Sequence, residues 1–177
     1  MDHNAIPMLP ARPTRFRKID GVAWASLPKE EADLGTTLQT QIDIDAPKEK
    51  VWDILTDFRA YPEWNPFIKS ISGEPRTGAK LVLHIQPPGA KGMTFHPKVL
   101  SAIPGQELKW LGHFLVPGIF DGEHHLLIHG KGDGRIVFVQ EEAFKGVLVP
   151  FTGKMLKGTR QGFVQMNEAL KKRAEDI

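Results

Sequence analysis

Three polar side chains interrupt apolar alternation in the second half of the chain. His124 alternates with Leu126 and Ile128, while Gln140 and Glu142 alternate with Phe138 and Phe144. Residues two apart on a strand share a face, so all three are expected to point the same way as these apolar neighbours. A buried polar group is costly unless it is partnered, and a histidine beside a carboxylate in an apolar setting is a candidate general acid/base. His124 and Glu142 are therefore the catalytic candidates. The alternative is a structural pair whose members satisfy each other or the backbone.

Other chemistries find little support. His124 and His125 would point to opposite faces of a strand, and no His-Glu-x-x-His spacing occurs, so neither they nor His129 suggest a metal site. His84, His96 and His113 have the opposite parity from the apolar wall and are expected on the outer face or exposed. Zero cysteines exclude disulfides, thiolate metal sites and a cysteine nucleophile. Residues 130–134 are glycine-rich but join two strands, which makes them a hairpin turn and not a phosphate cradle. Ser26, Ser70, Ser72 and Ser101 lie in no Gly-x-Ser-x-Gly context. No cofactor is expected.

Net charge is only +2, with no dense basic block interleaved with aromatics, so nucleic acid is not an expected partner. The N-terminus reaches Pro7, Pro10 and Pro13 without a continuous apolar run, so neither a signal peptide nor integral membrane association is expected, and the chain is read as cytoplasmic. Zero cysteines fit a reducing compartment.

The elements that must position these residues follow from periodicity. Residues 1–36 carry prolines and no sustained pattern and are expected to form an irregular extension. A half-buried strand begins at Thr37, with Leu38, Thr40, Ile42 and Ile44 on one face. Pro47 is expected at the first position of a helix that groups Val51, Ile54, Leu55 and Phe58. The proline-broken stretch 61–67 suits one short helical turn, with Trp52 and Trp64 as core packing and Trp64 and Phe67 near a pocket entrance. Strands are expected at about 67–73, 79–86, 93–103, 106–115, 119–129 and 134–144, with corners at Pro104-Gly105, Pro117-Gly118 and Asp133-Gly134. After Pro150, Met155, Leu156, Thr159, Phe163, Met166 and Leu170 form a helical stripe.

This order predicts an α+β domain over residues 37–177: a curved antiparallel sheet closed over a long C-terminal helix, with two short helices after the first strand. A sheet curled round a helix leaves space between them. Parity supplies the expected wall: Leu81, Leu83 and Ile85, then Phe95 and Val99, then Trp110, Gly112 and Phe114. His124, Leu126 and Ile128 follow, then Phe138, Gln140, Glu142 and Phe144, with Met155, Thr159, Phe163 and Met166 facing them from the helix. Arg160 and Gln165 flank the helical stripe, and either reaches a ligand or lies in solvent. Lys154, Lys157, Lys171, Lys172 and Arg173 form a basic outer face, read as solvation and, near the end, as complement to the helix dipole, with membrane-surface attraction as the lesser alternative.

Four segments carry a family resemblance: Ile42 to Trp52, Tyr61 to Phe67, Gly122-Glu123-His124, and Glu142-Ala143-Phe144-Lys145-Gly146 ahead of the terminal amphipathic helix. In this order the chain resembles the START/polyketide-cyclase-like (SRPBCC) superfamily with its helix-grip fold. The resemblance implies a hydrophobic cavity between sheet and helix, used across that superfamily for lipids, polyketides, hormones and aromatic compounds. The leading expectation is binding of one small hydrophobic or aromatic molecule. The alternatives are a cofactor-independent cyclase, aromatase or dehydratase-like enzyme using the His/Glu pair, and an interaction module using the basic helix face or the N-terminal extension.

Overall fold

A computed structural model describes residues 17–19, 22–24, 35–114 and 116–176 of the chain, which divides into two units, residues 1–32 and 33–177. In the first unit β1 (Arg17–Ile19) and β2 (Val22–Trp24) pair antiparallel. Of the extension expected over residues 1–36, Gly35 and Thr36 are also described, with Thr36 already the first residue of the next strand, and the rest lies outside the described residues.

The second unit begins with β3 (Thr36–Ile44), in which Leu38, Thr40, Ile42 and Ile44 turn inward while their neighbours stay exposed. Pro47 does not occupy the first helical position but caps α1 (Lys48–Thr56): its φ of −61° suits proline, yet its ψ of 147° is extended. Its carbonyl accepts the Val51 N–H at 3.2 Å. Val51 and Leu55 are buried, and a 3-10 turn at Phe58–Ala60 leads directly into α2 (Tyr61–Trp64). Helix α2 stops after one turn because Asn65 precedes Pro66 and is held extended. The Asn65 Oδ1 then accepts the N–H groups of Phe67 and Ile68, at 2.9 and 2.8 Å, which turns the chain into β4 (Ile68–Ser72) and buries Phe67.

The remaining strands are β5 (Val82–Ile85), β6 (Met93–Phe95), β7 (Lys98–Ile103), β8 (Glu107–His113), β9 (Asp121–Gly130) and β10 (Ile136–Lys145). They form two antiparallel sheets, ordered β3-β10-β9-β8-β7 and β4-β5-β6. This corrects two expectations. Residues 93–103 are not one strand but break at His96-Pro97, because Pro97 has no N–H to give a ladder. The sheet is also open and not closed over the helix. The two sheets meet where Leu81 N–H donates to the Pro97 carbonyl and Val99 N–H to the Ala79 carbonyl, both at 2.8 Å.

Helix α3 (Gly153–Glu175) buries Leu156, Thr159, Phe163, Met166, Leu170 and Ala174 along one stripe. Its C-terminal half is fastened to β3 and the turn after it. Asn167 Nδ2 donates to Thr40 Oγ1 at 3.0 Å, and Lys171 Nζ donates to the Asp43 carbonyl at 2.6 Å. Glu175 Oε1 accepts from both Lys171 Nζ and the Asp45 N–H, each at 2.7 Å. The Lys171 hydrogen bond first, and the Asp45 N–H second, hold the Glu175 carboxyl below its ordinary value of 4.5. A lowered folded value means that this contribution to stability is complete above about pH 4.5 and is lost as pH falls through the folded value. Acid denaturation of Glu175→Gln is therefore expected to show a shallower loss in that window than the parent, read by circular dichroism across a pH series.

Candidate functional site

Antiparallel register places the inward residues in rows across the sheet. Trp110 faces His124, His124 faces Glu142, and Glu142 faces Leu38, so the two catalytic candidates are direct cross-strand neighbours. The next row toward the open end is Gly112, Gly122 and Phe144. The row on the other side is Leu108, Leu126, Gln140 and Thr40.

His124 is almost fully buried. Its ring stacks on Trp110 with centroids 4.9 Å apart and meets the edge of Phe163 at 5.0 Å. Gln140 Nε2 lies 3.1 Å from His124 Nε2 and 3.5 Å from Met166 Sδ. With that amide donating to Nε2, the imidazole carries its proton on Nδ1, which faces Glu142 Oε2 at 3.5 Å. The other Glu142 oxygen lies over Gly122, where a Cβ would stand 2.6 Å from Oε1. Gly122 thus leaves the room that the carboxylate occupies. Gly122→Ala is expected to push Glu142 off His124, read as a change in the His124 side-chain nitrogen shifts by NMR, while Gln140→Leu is expected to release the Nδ1–H tautomer.

A cavity of about 70 Å³ opens beside this row. Of the expected wall residues, Leu83, Ile85, Phe95, Trp110, Gly112, Phe114, His124, Glu142, Phe144, Met155 and Thr159 line it. Leu81, Val99, Leu126, Ile128, Phe138, Gln140, Phe163 and Met166 do not: they are buried in the solid core. The reason is the lie of α3, whose C-terminal half packs down on the lower rows while its first turns, carrying Met155 and Thr159, face the open space. Arg160 is exposed and Gln165 half-buried, and neither lines the cavity.

Phe67 lines the cavity, in keeping with the place near a pocket entrance expected for it, whereas Pro87, Met93, Pro97, Phe120, Gly122 and His113 line it without having been expected to. Met93 and Phe120 lie two residues before Phe95 and Gly122 and within the strands expected at 93–103 and 119–129, so carrying the alternation to the ends of those strands would have found both. His113 is exposed, as expected from parity, yet it borders the cavity because β8 ends there. Its Nδ1 lies 2.8 Å from Asp121 Oδ1, and the other Asp121 oxygen accepts the Gly118 N–H at 2.9 Å. Burial works to raise the Asp121 carboxyl, but the His113 and Gly118 hydrogen bonds outweigh it and hold it below its ordinary value. His125 points to the outer face, where burial and then Lys109 lower its pKa.

Beyond the cavity lies a larger groove of about 470 Å³ between residues 87–93 and the start of α3. Pro87, Met93 and Met155 line both spaces, so the two adjoin. No helix among the described residues is long and apolar enough to cross a membrane.

Comparison with solved structures gives the same architecture. A START superfamily protein from Mycobacterium smegmatis superposes with a TM-score of 0.63 at 22% identity, covering 78% of this chain and 97% of the other. The Zhui aromatase/cyclase from Streptomyces sp. R1128 gives 0.65 at 16% identity, covering 80% and 94%. Truncated norcoclaurine synthase from Thalictrum flavum gives 0.64 at 10% identity, covering 85% and 99%. At these identities the likeness is one of fold. No curated protein matches the chain. The model of one family, described as polyketide cyclase / dehydrase and lipid transport, matches residues 35–175, a span that contains every element from β3 to α3 and the whole cavity wall. The chain belongs to that START-like family.

Proposed function

We propose that the second unit binds one small, largely apolar molecule that carries a single hydrogen-bonding group. The observation behind this reading is the composition of the cavity wall: Phe67, Leu83, Phe95, Trp110 and Phe144 surround Glu142, the one carboxylate among its described lining residues. An apolar body gains about 25 cal/mol per Å² on leaving water, and a hydroxyl or amine placed at Glu142 fixes its orientation. At about 70 Å³ the chamber is smaller than the ~150 Å³ cavity that accepts benzene, so the ligand widens it on entry. Met93 and Met155 stand at the junction with the outer groove, and methionine rotates readily to merge the two spaces. Together they suit a molecule whose narrow end reaches Glu142 and whose bulk rests in the groove.

The His124 geometry favours a second reading, cofactor-independent acid/base catalysis of the cyclase or dehydratase kind. Gln140 fixes the imidazole, Trp110 and Phe163 hold its plane, and Glu142 lines the cavity beside it. In this reading Glu142 takes a proton from the bound molecule and later returns it, while the adjacent Nδ1–H holds the carboxylate in place.

Native mass spectrometry of the purified protein, followed by identification of any released molecule, tests the first reading. A stoichiometric apolar adduct supports it. Failure to retain or bind any member of a broad aromatic and lipid panel overturns it. Once a ligand is known, Glu142→Gln separates the two readings: turnover lost with binding kept supports catalysis.

A further inference from the structure

The rim of the outer groove presents large apolar side chains to solvent without a partner. Phe151 is 83% exposed, Val147 61% and Val116 53%, with Phe114 and Leu148 also exposed. These residues come from two loops that are bonded together, since the N–H groups of Val147 and Leu148 donate to the carbonyls of Gly118 and Ile119. Phe151 extends the rim to the groove lined by Pro87 and Pro88. Exposed apolar clusters of this kind mark contact surfaces.

The charge around the rim is one-sided. The chain holds 21 acidic residues, yet the stretches beside this rim, residues 85–97, 110–120 and 143–158, contain none. Lys91 and Lys154 line the groove itself. The nearest carboxylates on the bordering strands are engaged, Asp121 by His113 and Gly118 and Glu142 beside His124 within the cavity. Apolar tips among cations, free of acidic residues, match a bilayer whose headgroups are anionic, with the tips entering the acyl boundary and the lysines meeting the headgroups.

We infer that the protein docks by this rim on an anionic lipid surface, with the groove opening toward the bilayer. The inference does not require an occupied cavity. Leu115, between Phe114 and Val116, lies outside the described residues.

Sedimentation of the full chain with phosphatidylcholine vesicles, with and without a fraction of phosphatidylglycerol, tests this. Binding is expected only with phosphatidylglycerol and is expected to weaken as salt rises. The double variant Phe151→Ser, Val147→Ser removes side chains that pack against little, so the fold is kept, and it is expected to lower vesicle affinity at least about tenfold. Lys91→Gln and Lys154→Gln are each expected to lower it about fivefold. Absence of binding to anionic vesicles, equal binding to neutral ones, or unchanged binding by the Phe151/Val147 variant overturns the proposal. Because cavity occupancy is read separately by native mass, a failure here is distinguishable from failure of the ligand-binding reading.

Discussion

Phe163→Ala is expected to destabilise the second unit by about 3–5 kcal/mol, the range for removing a fully buried aromatic ring. Phe163 is fully buried on α3, and its ring meets Phe67 at 5.5 Å and His124 at 5.0 Å. The adjacent Gly162 deepens the dependence: a Cβ there would overlap the Phe67 ring, so helix and ring approach as closely as glycine allows. Deleting the Phe163 ring thus leaves a void between Phe67 and His124 that this close contact cannot fill by collapse. Urea denaturation checks it. A lower midpoint at unchanged slope is the expected result; an unchanged midpoint would mean that Phe67 and the helix relax into the space. The same substitution frees one face of His124, so a change in its side-chain nitrogen signals is expected in the folded fraction.

Leu83→Trp is expected to abolish cavity binding with a much smaller effect on the fold. Leu83 is fully buried on β5, faces Phe95 across the ladder and forms part of the cavity wall. An indole in its place has about 70 Å³ of adjoining space to enter, so the added atoms occupy the site that a ligand would use. Overpacking of this type costs about 1–3 kcal/mol when it must be accommodated by strain, and the open space keeps the cost at the low end. Loss of ligand contact worth roughly 3 kcal/mol corresponds to at least about a hundredfold weaker binding, measurable by titration once a ligand is identified. Leu83→Met, which conserves volume, is the control and should bind within a few fold of the parent. Parent-like affinity in Leu83→Trp would place the ligand outside the chamber, in the outer groove alone.

Much of the fold was legible in the sequence because its signals are local. The alternation of Leu38, Thr40, Ile42 and Ile44, and the spacing of three and four from Leu156 to Leu170, each report one buried face of one element. The misread positions have local physical causes as well. Pro47 sits one residue earlier than expected because its ψ is extended, and the strand expected over 93–103 breaks where Pro97 cannot donate. Parity likewise grouped Trp110, His124 and Glu142 on one face. What parity lacks is register, so it could not tell that these three share a row while Gln140 falls in the next.

The sequence by itself determined the class of this protein, an antiparallel sheet followed by one long amphipathic helix, and which side chains point toward that helix. Only the tertiary structure decided which of them meet empty space. Leu81, Phe138 and Met166 carry the same inward parity as Leu83 and Trp110, yet they lie in solid core. The difference arises because α3 is tied to β3 through Asn167, Lys171 and Glu175 at its C-terminal end and stands away from the sheet at Met155 and Thr159. The tilt of a helix across a sheet is set by contacts between residues more than a hundred positions apart. Neither periodicity nor composition records such contacts, so the position of the cavity had to be read from the packed chain.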